Sequence, residues 1–222
     1  MTRIAVLASG AGSNLQALLE HLDSRQGSTG AAVSLVVSDR AEAHALERAR
    51  LRGIPAVHVP RSAPAEALEQ ELAAHEADLV VLAGYLRLVP AAVVRRWTGR
   101  ILNVHPALLP AFGGHGMYGH RVHDAVIASG ARVSGVTVHF VDEQFDRGAI
   151  IAQWPVPVPL DDTADALAAR VLAVEHRIYP WCVEAVASGA VRLGDDGTVR
   201  GALPYDFVRF GVEGGHPFVL GA

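Results

Sequence analysis

Through the first half of the chain, short β-rich runs at residues 4–8, 33–37, 56–59, 79–83 and 101–104 alternate with longer helix-like segments at 15–22, 41–52, 64–75 and 90–97. An alternation of this kind packs when the strands run parallel in one sheet and the crossover helices cover its faces. The pattern then changes. Residues 133–141 and 150–158 are two strand-like runs joined by a short polar loop, which predicts that they continue the sheet in mixed or antiparallel fashion. A helix is expected over 163–187, with Asp161, Asp162 and Asp165 at its positive end, and Pro180 is expected to kink or divide it. The expected fold is a single-domain α/β, Rossmann-like, mostly parallel sheet with helices on both faces.

The chain has 222 residues, half of them hydrophobic, enough to bury a substantial core as one domain or two small ones. No apolar run approaches the roughly 18 residues of a membrane span. The sequence opens directly on a core strand, without a signal-peptide pattern, and Cys182 is its one cysteine. Both features lead us to expect a cytoplasmic protein. The formal net charge is −4, with no long basic run, so no nucleic-acid surface is expected. All the basic side chains other than histidine are arginine. A P-loop lysine and a lysine Schiff base are therefore excluded.

The chemistry concentrates in three places. In Asn103-Val104-His105-Pro106 an amide and an imidazole stand two residues apart, on one side of an extended segment, and Pro106 biases His105 toward extended backbone. Strand ends are where open α/β sheets hold their chemistry, and this pair suits an acyl transfer, in which an oxyanion is stabilised and a proton moved. Ser9-Gly10-Ala11-Gly12-Ser13-Asn14 joins the first strand to the first helix. It reads either as a phosphate-binding turn or as a glycine turn with a polar helix start. Leu15 stands where a dinucleotide fingerprint has its third glycine. The acidic loop that begins after Phe140 offers Asp142, Glu143 and Asp146 as competing partners for His105. His115, His120, His123 and His139 have spacings that fit no familiar zinc motif, so no metal is expected. The run from Leu82 to Val89 reads as a core strand and an apolar loop able to line a flat heteroaromatic ligand.

Taken together, the phosphate-type loop, Leu82-Ala83-Gly84-Tyr85-Leu86-Arg87, Asn103-Val104-His105-Pro106-Ala107-Leu108-Leu109-Pro110, Thr137-Val138-His139-Phe140 with Asp146, and Glu175-His176-Arg177-Ile178-Tyr179-Pro180 resemble the phosphoribosylglycinamide formyltransferases, a folate-dependent family. The resemblance runs over residues 3–189 and implies formyl transfer from 10-formyltetrahydrofolate to the amine of glycinamide ribonucleotide in purine synthesis. It implies a catalytic trio of Asn103, His105 and Asp146, with protonated His105 and Asn103 on the oxyanion. Gly12, Ser13 and Asn14 would hold the ribonucleotide phosphate and Glu175 the ribose. Leu86, Arg87, Leu88, Val89, Asn103, Asp142 and Asp146 would meet the folate. A cis peptide at Leu109-Pro110 is implied as well. Formyl transfer to another amine, hydrolysis of the formyl donor, and a non-catalytic nucleotide- or folate-binding module are the rival readings; from the chain's length we expect neither the extra domain of the tRNA relatives nor that of the hydrolases. The loop over 111–123 is longer than the common family version. Residues 1–202 are expected to form the domain and 203–222 a tail of unassigned role, and the oligomeric state is left open.

Overall fold

A computed structural model describes residues 1–25 and 30–203. The first half alternates as the sequence predicts: β1 (Thr2–Leu7), α1 (Ser13–Ser24), β2 (Ala31–Ser38), α2 (His44–Leu51), β3 (Ala56–His58), α3 (Ala65–Ala74), β4 (Leu79–Leu82), α4 (Ala91–Arg96) and β5 (Ile101–His105). It continues as α5 (His120–Ser129), β6 (Val133–Phe140), β7 (Ile150–Pro157), α6 (Ala164–Ala187), β8 (Val191–Leu193) and β9 (Val199–Gly201). Seven strands form one sheet in the order β3-β2-β1-β4-β5-β6-β7. The strands from β3 to β5 are parallel, while β6 and β7 pair antiparallel.

Alternation along each strand divides the core in two. Ile4 and Val6 of β1 face one apolar layer with Leu15 and Leu18 of α1, Leu46 of α2, Val126 of α5 and Leu167 and Val171 of α6. Ala5 and Leu7 face the other, with Leu68 and Leu72 of α3, Val93 of α4 and Trp97. Helices on both faces thus bury a sheet whose central strands are apolar on both sides. The chain runs outward from β1 to β3 and then crosses back to β4, which opens a crevice beyond the carboxyl ends of β1 and β4, the place where such sheets bind ligands.

Three elements depart from the sequence reading. Residues 111–123 are not one loop, because α5 starts at His120, behind Gly119; the flanking glycines hide that start. The β8–β9 hairpin consists of two strands of three residues each, too short for a period-2 signal. Pro180 does not divide α6, which runs through it. Proline removes one backbone hydrogen bond, at a cost of about 3 kcal/mol, and here Ile178, Tyr179, Cys182 and Val183 are all buried in the core around it. Thr163 caps the helix by accepting a hydrogen bond from the Ala166 N–H at 3.2 Å. Of its three expected N-terminal acids, Asp165 lies in the first turn and Asp162 pairs with Arg170. The tail beyond Leu203 lies outside the described residues.

Candidate active site

β5 carries Asn103 and His105 to the edge of a cavity of about 550 Å³ that both side chains line. His105 is almost wholly buried, and its Nε2–H donates to the Phe112 carbonyl at 2.8 Å. Its other ring nitrogen, Nδ1, lies 3.5 Å from Asp146 Oδ2. Among the three competing acids, Asp146 is therefore the one that reaches the imidazole. Glu143 turns outward to Arg95 at 3.0 Å, and Asp142 accepts the Gln144 N–H at 2.8 Å.

Backbone geometry, rather than residue type, makes that choice. Asp146 has φ 55 and Phe112, whose carbonyl holds His105, also has φ 55. A left-handed conformation costs a non-glycine residue of order 1–3 kcal/mol and is found where surrounding structure enforces it, commonly at functional sites. Gly113 permits the approach of the two loops: a Cβ there would stand 2.4 Å from Leu109 Cδ2 and 3.3 Å from Asp146 Cβ. The neighbouring Gly114 N–H donates to Asp146 Oδ2 at 2.9 Å. The Leu109–Pro110 peptide is cis.

Burial pushes the pKa of His105 below its ordinary value, and the opposing pulls of Asp146 and the Phe112 carbonyl are smaller. The sequence reading has the acid keep this imidazole protonated. Desolvation outweighs the charge pair, so burial favours the neutral ring.

At the start of α1, Gly12 adopts φ 73, and a Cβ on it would meet the Cα and Cβ of Ala45 at 2.9 Å. The glycine is thus demanded by its own backbone and by α2, and a side chain there collides with that helix before it meets any anion. Ser13 lines a small hollow of about 250 Å³ with Gln16, Arg48 and His176. Asn14 Nδ2 donates to Glu175 Oε2 at 2.7 Å, joining residues 161 positions apart. Burial raises the Glu175 carboxyl to about 7. The Asn14 Oδ1 and His176 Nε2 atoms are buried without a hydrogen-bond partner among the described residues.

Leu86, Arg87, Leu88 and Val89, following β4, line the large cavity, as do Asn14 and Glu175. Asp142 does not line it. The sequence alone points neither to Arg48 nor to a role for His139. His139 faces Asn103 across the β5–β6 ladder; its place beside Asp146 in the shared motif is the signal that marks it. The clustered histidines all line the large cavity but make separate contacts: His120 bridges Asp124 and Asp165 at 3.0 and 2.8 Å and meets His123 edge-on, and His115 packs edge-on against Phe145. No group of three or more His, Cys, Asp or Glu among the described residues is placed to hold a metal ion. No helix among them is long and apolar enough to cross a membrane.

The sequence profile of the formyl transferase family matches residues 2–183, a stretch that contains β1 to β7 and the whole site. The chain is similar to a chloroplastic phosphoribosylglycinamide formyltransferase of Vigna unguiculata, 45% identical over 202 residues, which are 88% of this chain and 64% of the relative. It is 42% identical over 203 residues to the trifunctional purine biosynthetic protein adenosine-3 of Bos taurus, covering 89% of this chain and 19% of that protein. The chain thus spans less than two thirds of the length of these two relatives. Among solved structures, glycinamide ribonucleotide transformylase 1 of Symbiobacterium toebii superposes with a TM-score of 0.81 at 44% identity, covering 90% of this chain and 93% of that one.

Proposed function

This chain belongs to the formyl transferase family, and from that premise we propose that it transfers the formyl group of 10-formyltetrahydrofolate to the amine of glycinamide ribonucleotide, a step of purine biosynthesis. The observation that carries the reading is that Asn14 and Glu175, the 86–89 segment and the Asn103, His105 and Asp146 trio all line one cavity. Two substrates are thereby able to meet over a single reacting carbon. Residues 1–202 are assigned to one formyltransferase domain. Cytoplasmic placement is the reading favoured by a lone cysteine that is buried as a free thiol.

In the proposed reaction the amine lone pair attacks the formyl carbon and the carbonyl electron pair moves onto oxygen. Asn103 Nδ2–H meets that oxyanion, an interaction made mainly in the transition state and therefore one that accelerates the chemistry. His105 and Asp146 form the proton pair. The imidazole spends Nε2–H on Phe112 and leaves Nδ1 as a second acceptor 3.5 Å from the carboxylate, so the proton released by the amine is taken up between these two acceptors and returns to the folate nitrogen as the C–N bond breaks. A second contribution of His105, donation to the oxyanion, requires that it part from the Phe112 carbonyl. Gly12, Ser13 and Asn14 are assigned to the ribonucleotide phosphate at the positive end of α1, and Glu175 to the ribose hydroxyls. Leu86, Arg87, Leu88 and Val89 are assigned to the folate. Incubation with both substrates tests the reading. Formylated ribonucleotide should appear in step with tetrahydrofolate; release of free formate instead marks a hydrolase, and binding without turnover a non-catalytic module.

A further inference from the structure

His139 is 2% exposed and stands opposite Asn103 in the antiparallel register. Its Nδ1 lies 2.7 Å from the Phe140 carbonyl, an oxygen that can only accept, so Nδ1 carries the proton. Burial lowers the pKa of the ring against smaller opposing pulls from that carbonyl and from Asp146, and the neutral imidazole then presents Nε2 as a bare acceptor. Asn103 Nδ2 meets this acceptor at 3.1 Å, and the same nitrogen lies 3.4 Å from Asp146 Oδ1. Both neighbours of the amide nitrogen accept hydrogen bonds and neither donates. One amide orientation satisfies them; the flipped one would set a carbonyl oxygen against a lone pair and a carboxylate.

We infer that His139 is a positioning residue: its Nε2 anchors one N–H of Asn103 and so turns the other toward the reacting oxygen. The inference rests on the formyl-transfer reading above. A free asparagine amide flips between two orientations of similar shape, and only one of them presents a donor. Holding it in advance removes that reorganisation from the transition state. The anchored N–H is the one at 3.1 Å. The second has only the long contact to Asp146, which it can exchange for an oxyanion without disturbing the first.

A double-substitution cycle over His139→Phe and Asn103→Ala, assayed with 10-formyltetrahydrofolate and glycinamide ribonucleotide, tests this. His139→Phe should lose about tenfold to a hundredfold in kcat, short of the roughly 10²–10³ for deleting an oxyanion donor outright, with KM for each substrate changed by less than about threefold. In the Asn103→Ala background the same change should cost less than about twofold, because its route of action is already gone. Losses that multiply, or an undiminished kcat in His139→Phe, overturn the inference. His139→Gln, which can place an acceptor oxygen near the Nε2 position, should retain more kcat than His139→Phe, and the reverse order overturns it as well. Long-range ¹H–¹⁵N correlation of the His139 ring needs no turnover: a proton on Nδ1 and a bare Nε2 are expected, and an Nε2–H form defeats the proposal. If the parent protein transfers no formyl group, the functional reading fails separately while the ring spectrum still decides whether this lock exists.

Discussion

At the scale of single residues, the site is a contest between burial and charge. Asp146 stands 3.5 Å from His105 Nδ1, yet the imidazole is driven toward its neutral form because it is shut away from water. The carboxylate is the chief force opposing that loss. Asp146→Asn isolates its contribution, since asparagine also tolerates the left-handed backbone that this position adopts. The variant should lose at least about a hundredfold in kcat, the scale of a proton-transfer group, with a melting temperature near that of the parent. Its His105, followed by NMR titration, should have a still lower pKa. Turnover equal to the parent's would remove Asp146 from the proton pair. In the sequence Asn103 and His105 are legible because period-2 geometry fixes their shared face. Asp146 is singled out from the three acids only by the family resemblance and by no local pattern, because its reach to His105 depends on φ 55 and on the approach that Gly113 allows.

Elements set the distances between these groups. α1 and α6 are clamped together by Glu184, which lies 2.6 Å from His21 Nε2 and 2.9 Å from Arg25 Nε, while the Arg25 guanidinium stacks 4.5 Å above Trp181. On the same two helices Asn14 and Glu175 meet at the cavity wall. α2 closes on the turn that precedes α1, where Gly12 meets Ala45. Gly12→Ala should therefore destabilise the fold by about 1–3 kcal/mol, from left-handed strain and overpacking together, and weaken ribonucleotide binding as a consequence. Urea unfolding and calorimetry on the same sample separate the two effects. Tight binding in a clearly destabilised variant would detach the α1 turn from the phosphate site. The helices with clear caps or apolar periodicity are legible in the sequence, whereas α5 and the β8–β9 hairpin are not, because glycine-rich flanks and three-residue strands carry too little pattern. The unbroken course of α6 through Pro180 is likewise a result of packing that outweighs a local penalty.

For the whole molecule, the cavity exacts a cost that depends on pH. Glu175 is held at about 7 by burial, against an ordinary 4.5. The folded state keeps this proton over an interval in which the unfolded chain has released it, so stability falls as pH rises from about 4.5 to about 7. Glu175→Gln keeps a partner for Asn14 and cannot ionise. Its stability advantage over the parent should grow across that interval and level off above it, reaching on the order of 3 kcal/mol at 1.36 kcal/mol per unit. Chemical denaturation at several pH values checks this, and a difference that does not vary with pH would contradict it. His21, His105, His123 and His139, all shifted downward chiefly by burial, contribute the opposite slope to parent and variant alike. Their stabilisation is present above the ordinary histidine range and is lost as pH falls through their lowered values, so it cancels in the comparison. By itself the sequence determined the layered α/β fold, the reversal of strand direction after β5, the Asn103 and His105 pair and the family, because periodicity and motif spacing are local properties of a chain. Only the tertiary structure decided how Asp146 is brought to His105, that Asn14 meets Glu175, that Gly12 answers to Ala45 and that His139 stands against the Asn103 amide. Each of those is a contact across loops, helices or strands, set by packing and desolvation, for which no local pattern exists to be read.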